Sequence, residues 1–170
     1  MRVSRTAAAY VASLLLCLVV SGACGRPERQ RNADASAGAS HAPVVDSTSV
    51  EAAVDVVRRY YAAIDAGDYR TAYRSWEGDG ASSGQSYDQF VAGFAHTRRV
   101  TAELGAPGRL DAAAGSRFVE VPVTIRAETD RGEKQRFTGS LVVRRAEVDG
   151  ATEAQRRWHL YSASVKRVPE

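Results

Sequence analysis

The stretch Val56–Trp76, VVRRYYAAIDAGDYRTAYRSW, joins two helical patterns through a short turn and points to the class of the fold. It continues an apolar stripe at helical spacing, while Glu51, Asp55 and Arg58 lie on the opposite side. The stripe consists of Val50, Val54, Val57, Tyr61 and Ile64. The sequence therefore predicts an amphipathic helix that buries this stripe.

Capping and turn residues mark where this helix begins and ends. Thr48 and Glu51 have capping-box spacing, and Ser47 and Ser49 are alternative caps. Gly67 is expected to end the helix, because glycine readily adopts the backbone conformation of a helix terminus.

Two shorter helices are predicted after this turn. Asp68 is placed to cap the second, and Ser86 forms a capping-box pattern with Gln89 at the start of the third. The glycine-rich segment EGDGASSGQ lies between them, and lacks the Gly-Lys-Ser/Thr ending of a phosphate-binding loop. Large apolar residues on the two helices are Tyr69, Tyr73, Trp76, Phe90, Val91 and Phe94.

Beyond residue 99 the apolar pattern changes to alternation, which is typical of half-buried strands. Four strands are predicted around residues 100–104, 119–125, 137–143 and 158–160, separated by turn-forming segments. Pro122 predicts an edge strand or a bulge. Helices followed by strands indicate an α+β fold, in which three N-terminal helices pack on a curved, mainly antiparallel sheet of about four strands.

The N-terminus has the three parts of a secretory signal peptide. Arg2 and Arg5 provide a basic start, residues 7–20 are apolar or small, and three small residues follow. The apolar run is shorter than the roughly 20 residues that span a bilayer. We predict a signal peptide at residues 1–23, cleaved after Ala23, rather than a buried helix.

The end of this leader resembles the lipobox of bacterial lipoproteins, in which an apolar residue and two small residues precede a cysteine. Gly22 and Ala23 match the small positions and Cys24 matches the lipid acceptor. Ser21 departs from the pattern, because the usual aliphatic residue, Val20, lies one place early. The resemblance implies cleavage before a lipidated Cys24 and stable membrane attachment. Ordinary secretory cleavage at the same bond is the alternative.

Residues 26–46, RPERQRNADASAGASHAPVVD, are polar and without periodicity. Such a segment buries too little surface to offset its ordering entropy, so residues 24–48 are predicted to be a lipidated N-terminus and tether. About 22 residues of coil reach roughly 25 Å. The folded domain is assigned to residues 49–170. Cys24 is followed by Gly25 rather than Asp, which resembles the pattern of lipoproteins sorted to the outer membrane. In a cell with two membranes, this resemblance implies that the protein is anchored on the periplasmic side of the outer membrane.

Composition excludes some function classes. The formal net charge is +3, and no run of basic residues forms a stripe for nucleic acid. Cys17 and Cys24 are the only cysteines, so the mature chain keeps one and forms no internal disulfide. His96 and His159 have no ligand-spaced partner. Neither a metal nor a cofactor is expected.

The stretch Val56–Trp76 also resembles the opening of the nuclear-transport-factor-2-like (NTF2-like) superfamily, which includes ketosteroid isomerases. Its members have a long first helix, an acid/glycine turn, a short aromatic helix, a third helix and a bent sheet that forms a cone. The resemblance covers Ser49 to about Val168. It implies a cone-like pocket, and the exposed sheet face of these proteins often pairs into homodimers.

The isomerases of this superfamily use a carboxylate base and an oxyanion hole built from a tyrosine and a protonated acid. The resemblance implies that Tyr60 or Tyr61 would supply the tyrosine and Glu77 or Asp79 the base. The third partner is missing, because Glu120 alternates away from the apolar face of its strand. No catalytic residue is assigned.

Aromatic residues are the candidate lining of a pocket for a flat apolar ligand. They are Tyr61, Tyr73, Trp76 and Trp158, and Tyr69 is a further candidate. The favoured interpretation, however, is that they form the core of a small domain.

Three functions remain open. The preferred one is a membrane-tethered exported lipoprotein whose non-catalytic domain binds a partner protein or another component of the cell envelope. The others are a binder of small apolar ligands and, less favoured, an enzyme like the ketosteroid isomerases.

Overall fold

The computed structural model describes residues 46–169, so the predicted signal peptide, Cys24 and most of the predicted tether lie outside the described part. No helix of this part is long and apolar enough to cross a membrane. The elements, in chain order, are α1 (Val50–Asp65), α2 (Tyr69–Arg74), a 3₁₀ turn (Ala81–Ser83), α3 (Tyr87–Gly93), β1 (Thr97–Leu104), β2 (Asp111–Ala113), β3 (Ser116–Thr129), β4 (Lys134–Ala146), α4 (Glu153–Arg156) and β5 (His159–Val168).

The three predicted helices are present, and their first residues follow from their caps. Ser49 caps α1, because its side chain accepts from the backbone N–H of Ala52. Thr48 is not the cap, since its backbone N–H and its hydroxyl both donate to the Asp46 carboxylate. The caps predicted for α2 and α3 are confirmed, and they are Asp68 and Ser86.

The predicted number of three helices is wrong, because the short helix α4 precedes β5. Thr152 and Gln155 form a reciprocal capping box at its start, with two hydrogen bonds between side chain and backbone. A helix of four residues is too short to show an apolar stripe, so only this capping pattern signals it in the sequence.

The sheet is antiparallel, with strand order β1-β3-β4-β5 and with β2 paired to the start of β3. It has five strands rather than about four, because β2 is only three residues long and shows no alternation. Strands β3 and β4 pair from Ser116↔Ala146 to Glu128↔Lys134, forming one long hairpin. The α+β class is therefore confirmed with one more helix and one more strand.

Pro122 lies neither on an edge strand nor at a bulge, which corrects the prediction for this residue. Strand β3 is flanked by β1 and β4, and Pro122 pairs in register with Ser140. Its carbonyl accepts from the N–H of Gly105, one residue beyond the end of β1. Proline is tolerated there because its missing N–H faces the side on which β1 has already ended.

The core lies between α1 and the inward face of the sheet. Its largest side chains with under 2% exposure are Val57, Val119, Val121, Leu141, Val143 and Leu160. The register of β5 shifts between Val142 and Val143. Leu160 is consequently buried, while Tyr161 is 44% exposed. The core is continuous within residues 46–169, so this part has the apolar interior that an independently folding domain needs.

Candidate functional site

An open cavity of about 610 Å³ lies between α1, α3 and the inward face of the sheet. Its volume falls in the range of small-molecule sites. Its aromatic lining residues are Tyr60, Tyr61, Trp76, Phe90, Phe94 and Phe137. Its aliphatic lining residues include Ile64, Val100, Ile125, Leu141 and Val165. The apolar walls are thus drawn from every layer of the domain.

Edge-to-face aromatic packing holds these rings in place. The ring centroids of Tyr60 and Tyr61 are 4.9 Å apart, and those of Tyr60 and Trp76 are 6.0 Å apart, both in T-shaped geometry. Phe90 and Phe94 pack in the same way at 5.1 Å. Such pairs are favourable beyond the area that they bury, so the contacts among these rings stabilise the aromatic wall.

The polar groups of the cavity are all uncharged. Three come from the segment after α2, namely Ser82, Ser83 and Gln85, and the others include Thr97, Gln135 and Ser162. Hydroxyls and amides both donate and accept hydrogen bonds, so they suit an alcohol, a carbonyl or an ether oxygen. A charged ligand would lose its hydration without gaining a partner of opposite charge among these residues.

The two tyrosines on α1 remain protonated far above neutral pH. Burial raises the pKa of Tyr60 to about 12. Burial also raises the pKa of Tyr61, and the nearby Tyr60 adds to this effect. Both phenols are therefore neutral hydrogen-bonding groups rather than bases at physiological pH.

One wall of the cavity is the segment between α2 and α3, which Tyr73 fixes in place. The Tyr73 hydroxyl donates to the carbonyl of Gln85 at 2.8 Å. Gly80 has a φ of +106°, and a Cβ there would lie 2.0 Å from Cε1 of Tyr73. Glycine is needed at this position both for its backbone conformation and for the close approach of the ring.

The four predicted pocket residues fall in different places. Tyr61 and Trp76 line the cavity. Tyr73 packs behind it, with its ring centroid 5.4 Å from that of Phe90. Trp158 is buried outside the cavity, with the guanidinium of Arg145 5.8 Å from its ring. Tyr69, the further candidate, is not a lining residue and stacks on Phe94 with the ring centroids 5.7 Å apart.

The carboxylates considered as bases do not line the cavity. Glu77 forms an ion pair with Arg144 that is about a quarter exposed. The Asp79 side chain is 86% exposed and lies 3.7 Å from Arg74. Glu120 is exposed on the outward face of β3. Within the described residues, Tyr60 or Tyr61 therefore has no carboxylate partner across the cavity.

The two described histidines have local hydrogen-bond partners. Nδ1 of His96 lies 2.9 Å from Oδ2 of Asp130, and Nε2 of His159 lies 3.0 Å from the carbonyl oxygen of Ala154. Across residues 46–169, no group of three or more His, Cys, Asp or Glu side chains is arranged to hold a metal ion.

A second depression, of about 790 Å³, runs along the opposite side of α1. We call it the arginine groove, after the basic residues along it, which are Arg58, Arg59, Arg74, Arg156 and Arg157. Apolar side chains between them include Val50, Val54, Pro107 and Trp158. The groove was not predicted, because its arginines are scattered over α1, α2 and the segment before β5.

Comparison with known proteins identifies the fold. No sequence-family model matches the chain, and no curated protein matches it. The structure of a candidate dehydratase of the NTF2-like family from Streptomyces avermitilis is similar, with a TM-score of 0.50 and 17% identity over 71% of this chain and 96% of that chain.

Two further solved structures are also similar. One is an NTF2-like superfamily protein from Salmonella enterica serovar Typhimurium, with a TM-score of 0.48 and 14% identity over 71% of this chain and 91% of that chain. The other is Kfla4162 from Kribbella flavida, with a TM-score of 0.48 and 10% identity over 68% and 87%. The likeness to the Streptomyces structure shows that the described residues have the NTF2-like fold, and at this identity it shows the fold alone.

Proposed function

We propose that this chain is an exported, lipid-anchored protein whose NTF2-like domain binds an uncharged, largely apolar small molecule. The observation that carries the proposal is the open cavity of about 610 Å³, whose walls are aromatic and aliphatic and whose polar groups are neutral. Pockets of this size and lining are typical of small-molecule sites. The neutral hydroxyl and amide groups would orient the ligand.

The lining supports binding rather than catalysis. Proton transfer needs a group within hydrogen-bond reach of the reacting atom and with a pKa near the working pH. The titratable side chains along the described cavity are Tyr60 and Tyr61, and burial raises the pKa of both. The Streptomyces protein is described as a candidate dehydratase. For that activity this cavity would need an acid or base that its described lining lacks.

An envelope protein as the binding partner is the second candidate. The apolar lining and the volume of about 610 Å³ favour a small molecule over a protein as the occupant of the cavity. Pairing of two copies through the outward sheet face stays a prediction, as does the absence of nucleic-acid binding.

The ligand-binding proposal is tested with N-phenyl-1-naphthylamine, an uncharged aromatic probe whose fluorescence rises in apolar surroundings. Ala163 lies along the cavity and pairs with the inward Leu141, whereas its neighbour Ser164 pairs with Ser140 on the outward face. Ala163→Phe should fill the cavity and weaken probe binding at least about tenfold. Ser164→Phe is the matched control and should bind like the wild type. Absent binding in the wild type, or equal loss in both variants, would contradict the proposal.

The anchor proposal rests on the leader and on Cys24, which follows Gly22 and Ala23 as in a lipobox. Two or more acyl chains on this residue would hold the protein stably at a membrane. Mass spectrometry of the mature N-terminus should find lipid on Cys24 in the membrane fraction, and Cys24→Ala should release the protein. An unmodified Cys24 in membrane extracts would refute the anchor and leave the cavity proposal untouched.

A further inference from the structure

We propose that the arginine groove docks the domain onto a surface of anionic phospholipids. Charge is concentrated there. Residues 46–169 contain 18 Lys and Arg against 17 Asp and Glu, so this part of the chain is nearly neutral. The groove nevertheless has five arginines and only two acidic residues, Glu51 and Asp55. The rest of the described chain consequently carries a slightly negative net charge, whereas the groove carries a positive one.

The arginines of the groove are available to an added partner. Arg58 and Arg59 share the single carboxylate of Asp55. Arg74 lies 3.7 Å from Asp79, and the two side chains are 65% and 86% exposed. Guanidinium groups bind phosphate oxygens through paired hydrogen bonds, so exposed arginines suit phosphate headgroups.

The other basic residues lie where the chain approaches β5. Arg156 donates to the carbonyls of Ala151 and Val148, which fixes its direction at the end of α4. Arg157 is exposed and lies along the groove. These residues extend the positive surface from α1 across to the start of β5.

The position of the groove favours a membrane over other anionic partners. Ser47, at the start of the described residues, lies along it. The chain that leads back to Cys24 therefore leaves the domain beside these arginines. A basic surface next to a lipid anchor provides a second, independent attachment. The inference rests on the proposed tether for the location of the membrane, but its test does not need the lipid.

The test measures co-sedimentation of residues 46–170 with lipid vesicles. Binding is expected to vesicles of mixed phosphatidylglycerol and phosphatidylcholine, to weaken with added salt, and to be absent with phosphatidylcholine alone. The double variant Arg74→Glu/Arg157→Glu should bind at least roughly tenfold more weakly than the wild type. Arg99→Glu/Arg131→Glu makes the same charge change outside the groove and should bind more tightly than the groove variant.

Several results would overturn the inference. They are equal binding to neutral vesicles, equal loss in both double variants, and no binding by a wild-type domain that unfolds cooperatively. Binding to polyglutamate without binding to vesicles would also overturn it, and would indicate an acidic protein partner. If the charge reversals prevent folding, Arg74→Gln/Arg157→Gln replaces them and must also weaken vesicle binding, by a smaller factor. Each result is distinct from the mass measurement on Cys24, which tests the tether alone.

Discussion

The cavity and the arginine groove lie on two sides of one helix and differ in almost every physical property. Tyr60, Tyr61 and Ile64 of α1 line the cavity, while Val54 and Arg58 of the same helix lie along the groove. The cavity has no charged lining residue among those described, and the groove has seven. One amphipathic helix therefore separates a neutral interior from a basic exterior.

This difference follows from desolvation. A charge on the inner side of α1 would leave water for an apolar space without a partner, which costs several kcal/mol. A charge on the outer side keeps its hydration, and an arginine there can cover apolar surface with its stem while its guanidinium remains in water. The inner surface therefore suits a neutral small molecule, and the outer surface suits the headgroups of anionic phospholipids.

The largest effect is expected from Gly139→Ala, which should disrupt the cavity and spare the groove. A Cβ at Gly139 would lie 1.9 Å from the backbone oxygen of Ser164, so β5 must move. Since Ala163 and Val165 of β5 line the cavity, probe binding should be lost. The free energy of unfolding should fall by about 3 kcal/mol, measured by denaturant titration.

Gly93→Ala is the control for this experiment. Gly93 also lines the cavity, but an added Cβ there meets no atom within 4 Å. Its effect on stability should stay below about 1 kcal/mol. The result would contradict this packing if the two glycine variants were equally stable. It would also do so if Gly139→Ala weakened vesicle binding more than probe binding.

The next effect is a loss of stability at alkaline pH that originates on the cavity side. Burial raises the pKa of Tyr60 to about 12, whereas it ionises near 10 in the unfolded chain. Below pH 10 the phenol is protonated in both states. Between pH 10 and 12 this phenol ionises only in the unfolded chain, so Tyr60 alone should lower the free energy of unfolding by roughly 1.4 kcal/mol per pH unit.

Denaturant titrations of the wild type and Tyr60→Phe across this pH range check the prediction. The variant should lose a large part of the alkaline slope, leaving the contribution of Tyr61, whose pKa burial also raises. Tyr161→Phe changes an exposed tyrosine and should keep the wild-type slope. An unchanged slope in Tyr60→Phe would show that this phenol is not buried as described.

The smallest effects come from the two helix caps, one on each side of the comparison. Ser49→Ala removes the cap of α1 beside the groove, and Ser86→Ala removes the cap of α3 at the cavity. Each should lower the free energy of unfolding by about 1 kcal/mol, which is measured as a lower melting temperature. Only Ser86→Ala should also weaken probe binding. If Ser49→Ala and Ser86→Ala weaken probe binding equally, the cavity and the groove are not independent of each other.

Periodicity in the sequence predicted the framework well. The alternation of Val119, Val121 and Val123 placed the buried face of β3 correctly, and the caps placed α2 and α3. The predicted stripe on α1 was less accurate. Val50 and Val54 are only half-buried, while Val56 and Tyr60, outside that stripe, are buried. Packing against both the sheet and Trp76 covers more of the helix than one stripe.

The cavity and the arginine groove could not be predicted as well as this framework. Periodicity assigns a residue to a face, but it does not say which neighbours that face meets. Trp76 and Trp158 look equivalent in the sequence, yet one lines the cavity and the other the groove. Gln135 reaches the cavity through the pairing of β4 with β3, and Ser162 reaches it through the pairing of β5 with β4. The arginine groove combines residues about 100 positions apart, so spacing rules do not reveal it.

The most direct test of the account uses these two tryptophans, which are the only ones in the chain. Trp158→Phe leaves Trp76 as the reporter of the cavity, and Trp76→Phe leaves Trp158 as the reporter of the groove. Both are titrated with bromoundecanol, an uncharged alcohol whose bromine quenches an indole only in near contact. The account predicts strong, saturable quenching of Trp76 and little quenching of Trp158. Equal quenching of both, or quenching of Trp158 alone, would contradict a neutral ligand site in the cavity.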